Sequence, residues 1–128
     1  MSKRKGIVSA CALVAALAAL VAEPVAAKDG DGVRVAGTCT KGSSAKLKLS
    51  REDGRIEVEF EVDQNRVGVP WRVVLRQNGT VVARVAKVTR APSGSFETRT
   101  VSRDAAGTDR FVATATRSGE VCTARASF

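Results

Sequence analysis

From Arg55 to Val62 the chain reads Arg-Ile-Glu-Val-Glu-Phe-Glu-Val, charge and apolar side chain alternating without a break. A period of two sorts Ile56, Val58, Phe60 and Val62 onto one side of an extended backbone and the charges onto the other. A helix of 3.6 residues per turn would smear them around its circumference. Ala45-Lys46-Leu47-Lys48-Leu49 alternates in the same way just upstream, and Asp53-Gly54 between the two runs is a two-residue hairpin signal. Placing those two residues in the turn sets Leu49 opposite Val58, Leu47 opposite Phe60 and Ala45 opposite Val62. The same register sets Lys48 opposite Glu59 and Lys46 opposite Glu61, so both faces agree on one pairing.

The rest of the chain follows this pattern. Trp71 to Arg76 predicts a strand, Asn78-Gly79 a second hairpin turn, and Thr80 to Thr89 the returning strand. Its register stays open, because a two-residue and a three-residue loop turn different sides of the returning strand inward. Further strands are predicted over Val33 to Cys39, Ser95 to Val101, Asp109 to Arg117 and Glu120 to Phe128. The turns between them carry Gly, Pro, Asp or Ser, as in Ala91-Pro92-Ser93-Gly94, Asp104-Ala105-Ala106-Gly107 and Ser118-Gly119. No segment after residue 27 has a helical apolar period. Seven or eight short strands at this spacing predict an all-β, antiparallel sandwich or small barrel, and 128 residues allow one such domain.

Met1 to Ala27 reads as a secretory signal peptide: Lys3, Arg4 and Lys5, then an uncharged run from Ile7 to Ala22, then Val25-Ala26-Ala27 at the cleavage positions. Val8-Ser9-Ala10-Cys11 looks like a lipoprotein box, but the apolar stretch follows Cys11 instead of preceding it. Cleavage after Ala27 takes three of 21 basic residues and one of 13 acidic ones, leaving 18 against 12, a net +6. Residues 28–32 are expected to be a flexible new N-terminus and 33–128 the folded domain. An exported protein meets an oxidising space, so Cys39 and Cys122 are expected to form a disulfide. Closing so long a loop stabilises by about 4–5 kcal/mol in the chain-entropy model.

The exported part resembles an immunoglobulin-like or fibronectin type III-like β-sandwich. Trp71 opens the strand that would carry the core tryptophan of that fold. The run Asp104-x-x-Gly107-x-Asp109-x-Phe111-x-Ala113-x-Ala115 resembles the turn and strand of its tyrosine corner, with Phe111 standing where a Tyr would sit. The expected disulfide joins the outer strands and does not cross the core beside Trp71. The resemblance implies a single sandwich of seven to eight strands. The Ala, Val, Thr and Arg bias is similar to that of small exported proteins of high-GC bacteria.

Enzymatic chemistry is poorly provided for. The chain has no His, which removes imidazole bases and His metal sites, and a serine nucleophile would need a lysine base. Glu57, Glu59 and Glu61 share one strand face about 7 Å apart per step, a separation a carboxylate pair could use, but flanking lysines keep them ionised. The chain is therefore read as a non-enzyme, with no catalytic residue, no metal and no cofactor. Lys28-Asp29-Gly30-Asp31-Gly32 alternates oxygen ligands but lacks the later carboxylate of an EF-hand loop. Asn78-Gly79-Thr80 matches the glycosylation triplet and is read as a turn.

The basic surplus is more informative. With Trp71, Val73 and Leu75 inward, Arg72, Val74 and Arg76 face out. With Phe111, Ala113 and Ala115 inward, Arg110, Val112, Thr114 and Thr116 face out. With Cys122, Ala124 and Ala126 inward, Val121, Thr123 and Arg125 join them. In an immunoglobulin-like arrangement the three strands are neighbours, so Arg72, Arg76, Arg110 and Arg125 are candidates for a face that binds a polyanion or an acidic protein surface. The aromatics fall mainly at core positions and no helix is available for a groove, so specific nucleic-acid binding is not expected. Two functions follow as expectations. The first is a secreted binding or interaction module that contacts anionic cell-envelope components or an acidic protein surface. The second is a small inhibitor or ligand carrier using the loops Gln64 to Pro70, with Val67 and Val69, and Arg90 to Ser95.

Overall fold

A computed structural model describes residues 27–29 and 32–128. The signal peptide read over Met1 to Ala27, Cys11 within it, and the Gly30-Asp31 part of the oxygen-ligand run lie outside the described residues, apart from Ala27. Among the described residues there are ten strands and no helix: β1 (Ala27–Asp29), β2 (Gly32–Ala36), β3 (Thr38–Cys39), β4 (Ser44–Glu52), β5 (Arg55–Asp63), β6 (Pro70–Gln77), β7 (Thr80–Val88), β8 (Ser95–Arg103), β9 (Arg110–Arg117) and β10 (Glu120–Ser127). They form two antiparallel sheets, ordered β1-β2-β4-β5-β8 and β3-β10-β9-β6-β7.

The first hairpin has the register its two faces demand. Leu49 pairs with Val58, Leu47 with Phe60, Ala45 with Val62, Lys48 with Glu59 and Lys46 with Glu61. Asp53 and Gly54 both take positive φ, as a type I′ turn needs.

Two features raise the strand number above the eight expected. The single strand predicted from Val33 to Cys39 is divided at Gly37, so that β2 runs in one sheet and β3 in the other. A Cβ on Gly37 would stand 2.8 Å from the Thr123 carbonyl oxygen and 3.1 Å from the Cβ atoms of Ala124 and Ala45. Only the missing side chain lets the backbone change layer there. Ala27–Asp29 adds a strand along β2, pairing Lys28 with Val33, where a free N-terminus was expected. That pairing covers backbone groups which β2 would otherwise leave open at a sheet edge.

The core lies between the sheets. Leu47, Leu49, Ile56, Val58, Phe60 and Val62 from the first are fully buried against Trp71, Val73, Leu75, Phe111, Ala113 and Ala115 from the second. Alanines at 124 and 126 let β10 settle close over β4 and β2. Trp71 packs against Phe96 with ring centroids 5.9 Å apart and donates its indole N–H to Gln64 Oε1. Cys39 and Cys122 are directly paired across β3 and β10 and form the disulfide, 83 residues apart in sequence.

The corner before β9 is tied without a phenol. Phe111 is buried, and the carboxylate of fully buried Asp109 accepts from Ala105 N–H, Gln77 Nε2 and Asn78 Nδ2. Burial opposes the charge on Asp109, but the donors from Gln77, Asn78 and Ala105 outweigh it and hold the group below the usual aspartate range.

Candidate functional site

β6, β9 and β10 are neighbours in the second sheet, and their alternation sends one side chain in two outward. Arg72, Arg110 and Arg125 are exposed and Arg76 is half-buried. Arg76 and Arg125 both pair with Val112, one from each side. Arg72 pairs with Thr116, and Arg110 with Ser127. The four arginines singled out in the sequence therefore share one face.

A fifth joins them. Asn78 and Gly79 form a two-residue turn with both φ positive, so Gln77 pairs with Thr80 and Arg76 with Val81. A bulge then shifts the ladder by one, and Leu75 pairs with Ala83 and Val74 with Arg84. The shift turns Arg84 outward beside Val74 and Ala83, Val85 and Lys87 toward the core side. Val81 to Val88 carries one charge on each side, Arg84 on one and Lys87 on the other. Its pattern alone does not choose between them.

Charge on this face has one sign. In β3, β6, β7, β9 and β10 the sole carboxylate is Glu120, which points inward and is fully buried. It accepts from the backbone N–H of Lys41 and Ser43, the Ser43 hydroxyl and Arg117 Nε, and is thus wholly occupied. Burial raises the cost of its charge, yet the Ser43 and Arg117 donors prevail and keep it below the ordinary glutamate value. Among the described residues, Arg72, Arg76, Arg84, Arg110 and Arg125 have no carboxylate partner. Between them lie Val74, Val112, Thr114 and Thr123. A shallow depression of about 240 Å³ is lined by Arg72, Val74, Arg84 and Ala86.

The outer face of the first sheet is different. Lys46 lies 3.5 Å from Glu61 and Lys48 3.9 Å from Glu59. Arg99 holds both Glu52 and Glu57, and its hydrogen bond keeps the Glu57 carboxyl down at about 2. Glu59 is raised, first by its hydrogen bond to Glu57 and then by burial. Here cations and carboxylates neutralise each other.

Val67 is 55% exposed, while Val69 is half-buried and packs on the core. Their loop is strapped to buried Thr89, whose hydroxyl accepts from Val69 N–H and donates to the Arg66 carbonyl. The two loops named in the sequence meet: Gln64 N–H donates to Gly94 O, and a Cβ on Gly94 would fall 2.2 Å from Arg66 N. Ser43-Ser44-Ala45-Lys46 has the Ser-x-x-Lys spacing that a lysine base for a serine nucleophile would need. Ser43 donates to Glu120 and Lys46 pairs with Glu61, so the two are engaged apart from each other. Asn78 donates its amide N–H to Asp109 and accepts from Arg110 N–H, so the glycosylation triplet is tied into the turn. Cys39, Glu120 and Cys122 converge, but both sulfurs are in the disulfide.

No family model, no curated protein and no solved structure matches this chain. What the face does rests on its own chemistry. Five guanidinium groups on one sheet face without a carboxylate offer paired N–H donors to carboxylate or phosphate.

Proposed function

We propose that the protein is a secreted, non-enzymatic binding module of fibronectin type III-like architecture that holds an anionic component of the cell envelope on the outer face of its second sheet. The observation that carries this reading is the segregation of charge: five outward arginines without one carboxylate among them, against a neutralised face on the other sheet. A merely soluble surface gains nothing from that separation, since mixed signs serve solubility as well and avoid self-repulsion. The strand order β4-β5-β8 against β10-β9-β6-β7 supports the sandwich type, because the strand of Trp71 lies beside that of Phe111, which in turn lies beside that of Cys122.

The exported protein is expected to bind anionic cell-wall material, to come off as salt is raised, and to lose retention when Arg72, Arg76 and Arg125 are changed together to Glu. Unchanged retention of that variant, with its fold intact by circular dichroism, rejects the face. Exposure of Val67 favours a second reading, an inhibitor acting through the Gln64 to Pro70 loop. Incubation with a panel of secreted proteases separates the two, because an inhibitor stays whole and lowers protease activity.

A further inference from the structure

The register orders the five arginines into a path. Arg84 pairs with Val74, so it is the diagonal neighbour of both Arg72 and Arg76. Arg76 pairs with Val112, which makes Arg110, two residues along β9, its diagonal neighbour. Arg110 pairs with Ser127, so Arg125 is the diagonal neighbour of Arg110. The steps Arg72–Arg84, Arg76–Arg110 and Arg110–Arg125 are one strand across and two residues along, about 7–8 Å, while Arg84–Arg76 spans two residues of β6 and, across the bulge, three of β7. Val74, Val112 and Thr114 fill the inner side of the arc, uncharged and half-buried.

Building on the anion-binding reading above, we infer that the ligand is a linear phosphodiester polymer laid along this arc, one phosphate per arginine. A phosphodiester chain with a three-carbon link repeats every six single bonds, P–O–C–C–C–O. Six bonds is also the backbone of two strand residues, so the extended repeat is about 7 Å. That matches the arginine step. All five cations are Arg, whose planar fork meets a phosphate with two parallel hydrogen bonds. A compact multivalent acid would reach two or three of the five. The alkyl and hydroxyl side chains inside the arc suit the uncharged links between phosphates.

The test uses abasic deoxyribose-phosphate oligomers of two to twelve phosphates, which keep the six-bond repeat and carry no base to stack. Affinity is expected to climb with each phosphate up to about five and then only slowly. The slope of log K against log salt for the longer oligomers should be about −3.5, or −0.7 per phosphate. Arg84→Ala and Arg110→Ala should each flatten that slope by about 0.7 and end the climb one phosphate sooner. Affinity that stops rising at two phosphates, an unchanged slope in Arg84→Ala, or equal affinity for a poly-glutamate of the same charge overturns the inference. If wall retention is still lost in the Arg72, Arg76 and Arg125 variant, the anion-binding reading outlives that failure. If retention also survives, both fall.

Discussion

At the scale of single residues, the sandwich depends on two buried carboxylates and tolerates one idle hydroxyl. Glu120 collects four donors at the end of β10, and through Lys41 and Ser43 it fastens the turn between β3 and β4. Its carboxyl is held below 4.5 in the folded protein, so the charge stabilises above that pH. The contribution is lost as pH falls through the lower, folded value. Glu120→Gln keeps the shape but opposes amide N–H groups to donors, and should cost about 1.5–3 kcal/mol near pH 7. In urea melts the gap between wild type and variant should narrow from pH 5 to pH 3, and a constant gap would contradict the assignment. Asp109, also lowered, acts in the same direction in the wild type, while Glu59, raised, acts in the opposite one. Thr98 has its hydroxyl buried with no partner among the described residues. Thr98→Val removes an unmatched polar group at nearly constant volume and should raise stability by about 1 kcal/mol in the same melts.

Strands show why the fold was more legible than the face. The β4–β5 hairpin could be read to the residue because its inner and outer faces each specify the same pairing, hydrophobic on one side and opposite charges on the other. The β6–β7 hairpin has no such redundancy. Its turn was recognisable, but the bulge beyond it inserts one residue that alternation does not announce, and Arg84 changed sides with it. The sequence shows that the corner at Phe111 lacks a hydroxyl, but nothing local shows that Asp109, two residues earlier, takes over. Gly37 was similarly silent: a glycine inside an alternating run does not say which close approach requires it. The structure answers that with the Thr123 carbonyl and two alanine Cβ atoms. Gly37→Ala should therefore force β3 away from β10 and cost about 1–3 kcal/mol, an overpacking penalty read as a lower urea midpoint with the slope unchanged.

Across the whole molecule the two faces are set apart by where charge sits and not by how much there is. A surplus of basic residues draws the chain to any polyanion weakly, and by that account every arginine is equivalent. The two sheets make them inequivalent. Arg55 and Arg103 face each other on the outside of the first sheet, both exposed, near carboxylates on the same strands. Arg76 and Arg125 flank Val112 on the second, with none. Reversing either pair to Glu removes the same formal charge from the protein. Reversal at Arg55 and Arg103 exchanges one like-charged pair for another and should leave retention on anionic wall material within about twofold, since distant exposed charges are largely screened at physiological salt. Reversal at Arg76 and Arg125 breaks the arc at its middle and its end, and retention should fall at least tenfold under the same conditions. Equal losses in the two variants would mean that net charge alone governs binding, and the arginine face would then be surface and nothing more.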